Sequence, residues 1–411
     1  MIYAAASLLV GLVLPRLEYR YLADYKHGMT VAAAIAVFSS VASGMLALTG
    51  IIFSLAFLMV QFSSVAYSPR LVLWFSRDPV ISHGMGIFTS TFIFSLTVLA
   101  WVDRYGSGNV PLFSTWLVVL LVIASVRVLA ILVQRLTILQ VSGVIAFLGK
   151  HGRLAIGEIY PNMTLPAVDE HVAKPRSDAL SASLSVTQRV MHTGAPMVVA
   201  DYDTKSLVKL ASAADAVLIM PFGLGDTVFE GDTLIEVHGG RHAIAPATLR
   251  LAVQLEQQRI FEEDPKYAIR LLVDVAIKAL SPAVNDPTTA VQALDEIEDL
   301  LRRLGTRHLE VGQVPDETGT LRVIFPTPTW DDFLSLAFDE IRFYGVNSLQ
   351  VMRRLRVALC DLAGAVPRER QTALRHYLEH LDMNVHSSIL DSADQRTAMQ
   401  QDRQGLGLTR K

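Results

Sequence analysis

Apolar residues are concentrated in the first third of the chain, where ionisable residues nearly vanish over four stretches. A helix needs about 17 to 25 mostly apolar residues to cross a hydrocarbon core of about 30 Å. The pattern therefore predicts a membrane α-helical part in residues 1–150, with about four transmembrane helices in a lipid bilayer. The four stretches are Ile2 to Leu14, Val31 to Phe62, Val80 to Val102 and Leu112 to about Val133.

Two of these stretches have unusual lengths. Ile2 to Leu14 is short for a membrane span and stops at Pro15, so it is either a short crossing or a truncated one. Val31 to Phe62 contains no ionisable residue. As a continuous helix rising about 1.5 Å per residue, it would exceed the thickness of the bilayer. We expect this second stretch to tilt, to project from the membrane or to break.

Small and polar residues recur within the second stretch at steps of three, four or seven, which places them on one helical face. Such a face is poorly suited to lipid, and two interpretations stay open. The face packs closely against another helix, as small residues permit in membranes, or copies of it line a narrow, uncharged pathway in an oligomer. The residues of this stripe are Ser40, Ser43, Gly44, Ala47, Gly50, Ser54 and Gln61.

The chain from about Gly152 mixes charged and apolar residues, which predicts a soluble α+β region. Within residues 151–247, the segment from Ala216 to Val237 alternates apolar and polar residues around turns at Gly225 and Gly231. That spacing resembles the small β-barrel of lipoyl and biotinyl carrier domains, although it lacks their modified lysine. We expect a β-rich, barrel-like module with a structural or docking role.

A helical array is predicted for residues 248–391. Asp264 and Asp286 each precede a proline, which is typical of a helix N-cap followed by the first helical turn. Apolar residues repeat at helical spacing after both. Residues 392–411 are expected to be a disordered tail.

The side of the membrane on which this region lies is weakly encoded. Basic residues flanking the spans are nearly equal in number on the two sides of the membrane, so the positive-inside rule gives only a weak preference for one orientation. We place the C-terminal region in the cytoplasm because a signal for translocating so large a region is not visible.

The composition agrees with a membrane protein. The chain has 411 residues, of which 51% are hydrophobic and 18% charged, and its mean hydropathy is +0.38. These values are too apolar for an ordinary soluble enzyme. The formal net charge of -3 shows no basic excess, so nucleic-acid binding is disfavoured. The single cysteine, Cys360, excludes an intrachain disulfide and a multi-thiolate metal site.

One candidate ligand site follows Ser281-Pro282-Ala283-Val284. A helix N-terminus with adjacent hydroxyls offers donors to an anion. The candidate ligand-binding residues are Asn285, Asp286, Thr288 and Thr289. The alternative is a purely structural cap, because the Asp286 carboxylate can satisfy the first-turn amides and would repel an anion.

The segment from His376 to His380 matches the His-x-x-Glu-His signature of one zinc-protease class. No glutamate follows it, and its leucines suit an ordinary amphipathic helix, so we assign no metal ligand there. A nucleophile with a base and an oxyanion donor is likewise not found at usable spacing. We therefore predict that the protein is not an enzyme, with no catalytic residue and no cofactor.

Three segments of the chain carry a family resemblance: Ser43 to Leu55, Tyr67 to Leu71 and Ala279 to Ala290. Together they resemble a bacterial membrane-protein family catalogued as domain of unknown function 2254. The resemblance covers nearly the whole chain, and the last segment is its most specific part. It implies a bacterial inner-membrane location. Because relatives of this kind carry a longer first segment, it also implies a clipped N-terminus. It implies no reaction.

Two functions from different classes fit these patterns. The first is an oligomeric ion channel or leak pathway lined by the second transmembrane stretch, with the cytoplasmic region as assembly ring or gate. The second is a membrane-anchored sensor or scaffold whose soluble region binds a partner or small ligand. Both expect a homo-oligomer, and the sequence identifies neither the ion nor the ligand.

Overall fold

The computed structural model describes residues 2–21, 29–66, 79–104, 110–138, 141–163, 184–257 and 264–407. The chain divides into two compact units, Met1–Val144 and Ile145–Lys411. Within the described part of the first unit, four helices are long and apolar enough to cross a membrane. The predicted set of four apolar helices is therefore confirmed. They are α1 (Ile2–Tyr21), α2 (Val31–Ala66), α3 (Pro79–Leu99) and α4 (Leu112–Ile138). The family segment Tyr67 to Leu71 lies outside the described residues.

The first helix is longer than its apolar pattern predicted. α1 continues through Pro15 to Tyr21 and has 20 residues. Its charged end is held in place because Glu18 is buried and accepts hydrogen bonds from backbone N–H groups at the start of α4. The expectation that this segment stops at Pro15 is wrong. The helix continues to a glutamate that is buried against the start of α4, and a pattern of apolar residues cannot predict such a contact.

The second helix does not break. α2 is continuous over 36 residues, which corresponds to about 54 Å at 1.5 Å per residue. This length exceeds a hydrocarbon core of about 30 Å. Of the three expectations for this stretch, tilting and projection remain.

The third helix is the centre of the first unit, because α1, α2 and α4 all pack against α3. One cluster of buried side chains joins Phe38 of α2 to Phe94 of α3 and Val118 of α4. A second cluster joins Ile52 of α2 to Phe88 of α3. α2 thus uses one face for α3, and the opposite face is not needed to build the unit.

The described residues of the second unit form two sheets. In the larger sheet the strand order is β1, β5, β3, β8, β7, and in the smaller one it is β4, β2, β6. The strands are β1 (Val186–Met191), β2 (Met197–Tyr202), β3 (Ala216–Ile219), β4 (Thr227–Val228), β5 (Thr233–Gly239), β6 (Val253–Glu256), β7 (Gln313–Pro315) and β8 (Leu321–Ile324).

Nine helices of the described residues complete the second unit, the first of them beginning just before its boundary. They are α5 (Val141–Ile159), α6 (Thr204–Ala214), α7 (Pro246–Leu251), α8 (Pro265–Ala279), α9 (Pro287–Leu304), α10 (Trp330–Gly345), α11 (Leu349–Ala365), α12 (Arg368–Ser388) and α13 (Ser392–Ala398). α8 packs against α9 and α10, α9 against α11, and α11 against α12. The predicted caps are confirmed, because Asp264 accepts from the Lys266 N–H and Asp286 from the Thr289 N–H.

The barrel-like module predicted around Ala216 to Val237 is not confirmed. β3 pairs antiparallel with β5, and its other edge pairs in parallel with β8, so the described strands form open sheets. β4 belongs to the smaller sheet. Strand pairing between β3 and β8 also crosses residue 247, the predicted boundary between a β-rich and a helical module. The turn prediction holds locally, since Gly225 has φ 87° and Gly231 has φ 90°, values that favour glycine.

The C-terminal segment differs from its prediction. Residues 392–407, expected to be disordered, form α13 and a following loop that pack on α11. The buried Arg353 donates to the carbonyl oxygens of Thr397, at 3.0 Å, and Gly405. A buried guanidinium needs acceptors, and this segment supplies them.

Candidate functional site

The candidate pathway residues lie on α2, whose opposite face is fixed by packing. Ala34, Phe38, Ala42, Met45 and Ile52 are buried, with exposed fractions of 6% or less. They recur at steps of three, four or seven, as residues on one helical face must. This apolar face packs on α3, so the small and polar stripe is turned away from the chain's own core.

All seven stripe residues are exposed in the single chain. A Cβ atom built on Gly44 or on Gly50 would meet no atom within 4 Å. The structure therefore brings the seven predicted residues together on one surface, and this surface is not covered by the described residues. We call it the open face of α2: Ser40, Ser43, Gly44, Ala47, Gly50, Ser54 and Gln61.

The open face follows a stricter spacing than the sequence prediction used. Six of its seven residues belong to a longer central row of α2 that alternates steps of three and four residues, and every member of that row is exposed. The row consists of Ala33, Ala36, Ser40, Ser43, Ala47, Gly50, Ser54, Phe57 and Gln61. A mean spacing of 3.5 residues is the repeat of left-handed helix pairs. The signal for Ala33, Ala36 and Phe57 was present in the sequence as a seven-residue repeat, but polarity alone did not select them.

Large apolar side chains flank this central row. Leu46 and Phe53 lie on one side, with exposed fractions of 58% and 62%, and Ile51 and Leu58 lie on the other, at 53% and 44%. Large apolar residues suit contact with lipid tails, whereas small residues suit close contact between helices. The face of α2 away from α3 is therefore divided into a central row of mostly small or polar residues and two borders of large apolar residues.

The hydroxyl groups of α2 are partly satisfied within the helix. Ser54 Oγ donates to the Gly50 carbonyl oxygen at 3.0 Å, and Thr49 Oγ1 donates to the Met45 carbonyl oxygen at 2.8 Å. A serine that uses its proton in this way presents only acceptor lone pairs to its surroundings. The open face can thus offer oxygen acceptors without carrying a charge.

A second group of small and polar residues, which the sequence prediction missed, forms a close contact between α1 and α3. Ser7 Oγ donates to the Ser90 carbonyl oxygen at 2.6 Å, and Ser90 Oγ donates back to the Tyr3 carbonyl oxygen at 3.1 Å. A Cβ on Gly11 would clash with Thr97 Oγ1, and one on Gly86 would lie 2.6 Å from the Tyr3 ring. We call this contact the closed seam: Tyr3, Ser7, Gly11, Gly86, Ser90 and Thr97.

A buried carboxylate ties the end of α1 to the start of α4. Glu18 is 6% exposed. Its oxygens accept from the backbone N–H groups of Phe113 and Ser114, both at 2.9 Å, and from the Ser114 hydroxyl. The first turn of a helix has unpaired donors and a partial positive charge, which a carboxylate satisfies. Glu18 therefore acts as an N-cap supplied by another helix.

The four candidate ligand residues of the soluble region lie in the turn between α8 and α9. Asp286 accepts from the Thr289 N–H at 3.2 Å and from the Thr289 hydroxyl at 2.6 Å. Asn285 has φ 46°, and the Asp286 N–H donates to Ala279 at 2.8 Å. Asn285 and Thr288 are exposed. These contacts favour the structural cap, and a ligand at this turn stays a prediction.

The histidine pair of α12 is placed side by side. The rings of His376 and His380 have centroids 4.2 Å apart, and the intervening Glu379 is exposed, with 75% of its side chain accessible. Over the described ranges, no group of three or more His, Cys, Asp or Glu side chains is arranged to hold a metal ion.

Comparison with known proteins gives a family and relatives without an assigned activity. The chain is 25% identical over 364 residues to the uncharacterized protein Rv1290c of Mycobacterium tuberculosis (strain H37Rv), a match that covers 86% of this chain and 68% of the relative. The uncharacterized protein Mb1321c of Mycobacterium bovis matches with the same identity and coverage. No solved structure matches the chain. The family described as "Predicted membrane protein (DUF2254)" matches residues 1–361. The chain therefore belongs to the DUF2254 family of predicted membrane proteins.

Proposed function

We propose that this protein is a homo-oligomeric channel or leak pathway of the bacterial inner membrane, with the open faces of several α2 helices around a common axis. The observation that supports this proposal is the exposure of all seven stripe residues on a helix that otherwise has large apolar borders. In the single chain these residues would face lipid. Copies of α2 placed around an axis would remove them from it.

The argument rests on what lipid and helix contacts each favour. Glycine, alanine and serine make little contact with lipid tails because their side chains are small, whereas they let helix backbones approach one another. Among the described residues, the closed seam joins α1 to α3 through small residues and leaves the open face of α2 uncovered. A second copy of the chain is the partner that such a repeated face would fit.

The chemistry of the open face suits a narrow uncharged pathway. Hydroxyl and amide oxygens, backbone carbonyl groups and constriction can set selectivity where charges are missing. Ser54 and Gln61 provide polar groups, and Phe57 between them is a bulky apolar ring, 63% exposed. In a ring of α2 helices, Phe57 would form the narrowest apolar level of the pathway.

A membrane-anchored sensor or scaffold is the second candidate, and the seven-residue spacing favours it. Small residues at alternating steps of three and four are suited to a dry, closely packed helix pair. In that arrangement the α2 helices would only hold copies together, and the soluble region would bind the partner or ligand. Both candidates share the oligomer and differ in whether water enters it.

Ion flux distinguishes the two candidates. The full chain would be purified and reconstituted in potassium-loaded liposomes, and potassium efflux compared with empty liposomes. A pathway predicts efflux that changes in Ser54→Asp and Gln61→Ala but not in Leu46→Ala, which alters an exposed residue of the apolar border. Efflux equal to that of empty liposomes, or equal in all variants, would leave the scaffold as the better function.

The proposed orientation places the soluble region in the cytoplasm. A C-terminal alkaline phosphatase fusion should then be inactive, because the enzyme requires export to fold. Activity of the fusion would reverse the orientation without affecting the oligomer.

A further inference from the structure

A cavity in the soluble region is lined by α8, α10 and α12, far along the chain from the open face. Its volume is about 770 Å³, within the range of about 300 to 1,000 Å³ that is usual for small-molecule sites. α8 contributes Arg270 and Ile277, and α12 contributes His376, Tyr377 and His380. The segment from Asp339 to Tyr344 on α10 provides most of the remaining wall.

The carboxylates of this wall already have donors. Asp339 accepts from the Ser335 hydroxyl at 2.6 Å and from the Tyr377 hydroxyl at 3.1 Å. Glu340 accepts from Arg270 at 2.6 Å, and Arg270 also donates to Asp274 at 2.8 Å. Burial and the neighbouring Asp339 raise the pKa of Tyr377, so its hydroxyl stays protonated as a donor. These groups form a connected wall that does not require a ligand.

Arg342 is the exception in this wall. Its Nε atom is buried, and no hydrogen-bond acceptor for it is found within the described ranges. A guanidinium cannot lose its proton in a protein, so a half-buried one gains from an anionic acceptor. The cavity is therefore lined by a half-buried cation. Its buried Nε–H has no acceptor among the described residues, and a ligand in the cavity would meet the guanidinium through its other N–H groups.

Apolar surface lies beside this cation. Phe343 and Tyr344 are 68% and 55% exposed, and their rings meet edge to face with centroids 5.2 Å apart. Exposed aromatic rings beside a cavity can cover the apolar body of a ligand. Asp339 and Glu340 remain in the same wall and would repel a dianion more strongly than a monoanion.

We propose that this cavity binds a small organic monocarboxylate, with its carboxylate on Arg342 and its apolar body against Phe343 and Tyr344. The inference does not depend on the oligomer or on the pathway. It gives the soluble region a ligand class that a channel or a scaffold could equally respond to.

The test uses 1-naphthoate as the probe and the full chain in detergent, with binding measured by titration calorimetry. Arg342→Gln should weaken 1-naphthoate binding by about tenfold or more, because a charge-assisted hydrogen bond is lost. The matched control is Arg375→Gln, since Arg375 is exposed on α12, donates to Thr372 and does not line the cavity. Binding in this control should stay within about twofold of the parent, as expected for a surface change.

Two further arms keep the test decisive if Arg342→Gln does not fold. Phe343→Ala changes an exposed ring and should weaken 1-naphthoate several-fold. The uncharged 1-naphthalenemethanol and the dianionic 1-naphthyl phosphate should both bind the parent more weakly than 1-naphthoate. Equal 1-naphthoate binding in the parent and the cavity variants would overturn the site. Tighter binding of the phosphate would overturn the monocarboxylate class.

Discussion

The closed seam and the open face are built from the same kinds of residue but have opposite surroundings. In the seam, the Ser7 hydroxyl donates to the Ser90 carbonyl oxygen, the Ser90 hydroxyl donates to the Tyr3 carbonyl oxygen, and Gly11 has no room for a side chain. On the open face, Ser54 donates to a carbonyl of its own helix, and a Cβ on Gly50 would meet no atom of the described residues within 4 Å. The difference shows that small residues alone do not indicate where a transmembrane helix packs. Whether such a face is packed or exposed depends on which other helix lies against it.

The largest expected effect comes from adding bulk to the two faces. Gly11→Leu should prevent α1 from packing on α3 and destabilise the first unit by about 3 kcal/mol or more, because overpacking has no space to relax. Gly50→Leu should leave the fold of the single chain intact, since a Cβ there meets nothing. Unfolding in detergent and molecular mass in solution would be measured for both.

If the open face joins copies of the chain, Gly50→Leu should dissociate the oligomer into single chains. Gly11→Leu should instead lower the fraction of folded protein. An unchanged oligomer in Gly50→Leu would contradict the role given to the open face. A normally folded Gly11→Leu would show that the closed seam is looser than its contacts indicate.

A smaller effect is expected at the carboxylate that completes the packing of α1. Glu18→Gln removes a charge-assisted cap from the first turn of α4 and should cost about 1.5 to 3 kcal/mol. The control is Glu158→Gln, an exposed glutamate of α5, which should change stability by less than about 0.5 kcal/mol. Equal unfolding midpoints for the two variants would remove Glu18 from the contacts that hold the first unit together.

The smallest effect separates the hydrogen bonds of the two faces. Ser7→Ala should destabilise the first unit by about 0.6 kcal/mol, the typical value for a side-chain hydrogen bond between membrane helices. Ser54→Ala should have almost no effect on the single chain, because among the described residues its hydroxyl donates to the Gly50 carbonyl oxygen of the same helix. The pair would be compared by denaturant unfolding in one detergent, and a larger loss for Ser54→Ala would reverse the comparison.

Local patterns in the sequence predicted the structural features that are determined by residues close together in the chain. The four apolar helices, the caps at Asp264 and Asp286, and the helical stripe of α2 all follow from periodicity or from adjacent residues. The positive φ of Gly225 and Gly231 follows from turn chemistry in the same way.

Contacts between distant segments were not predictable from those patterns. The closed seam joins residues such as Ser7 and Ser90, 83 positions apart, and the Glu18 cap spans 96 positions to Ser114. The parallel pairing of β3 with β8 likewise joins segments that are far apart in sequence. The alternation of apolar and polar residues around Ala216 gives no information about this distant partner strand.

Water access to the open face tests the central proposal most directly. Single cysteines would replace Ser43, Gly50, Ser54 and Gln61 after Cys360 is changed to serine, with Leu46→Cys and Phe53→Cys as controls on the apolar border. A small water-soluble thiol reagent would be applied to the full chain in liposomes, and labelling measured by mass spectrometry. A pathway predicts that the four open-face cysteines are labelled and the two border cysteines are not. An intact oligomer in which all four open-face cysteines stay unlabelled would contradict a pathway and make α2 a packing helix.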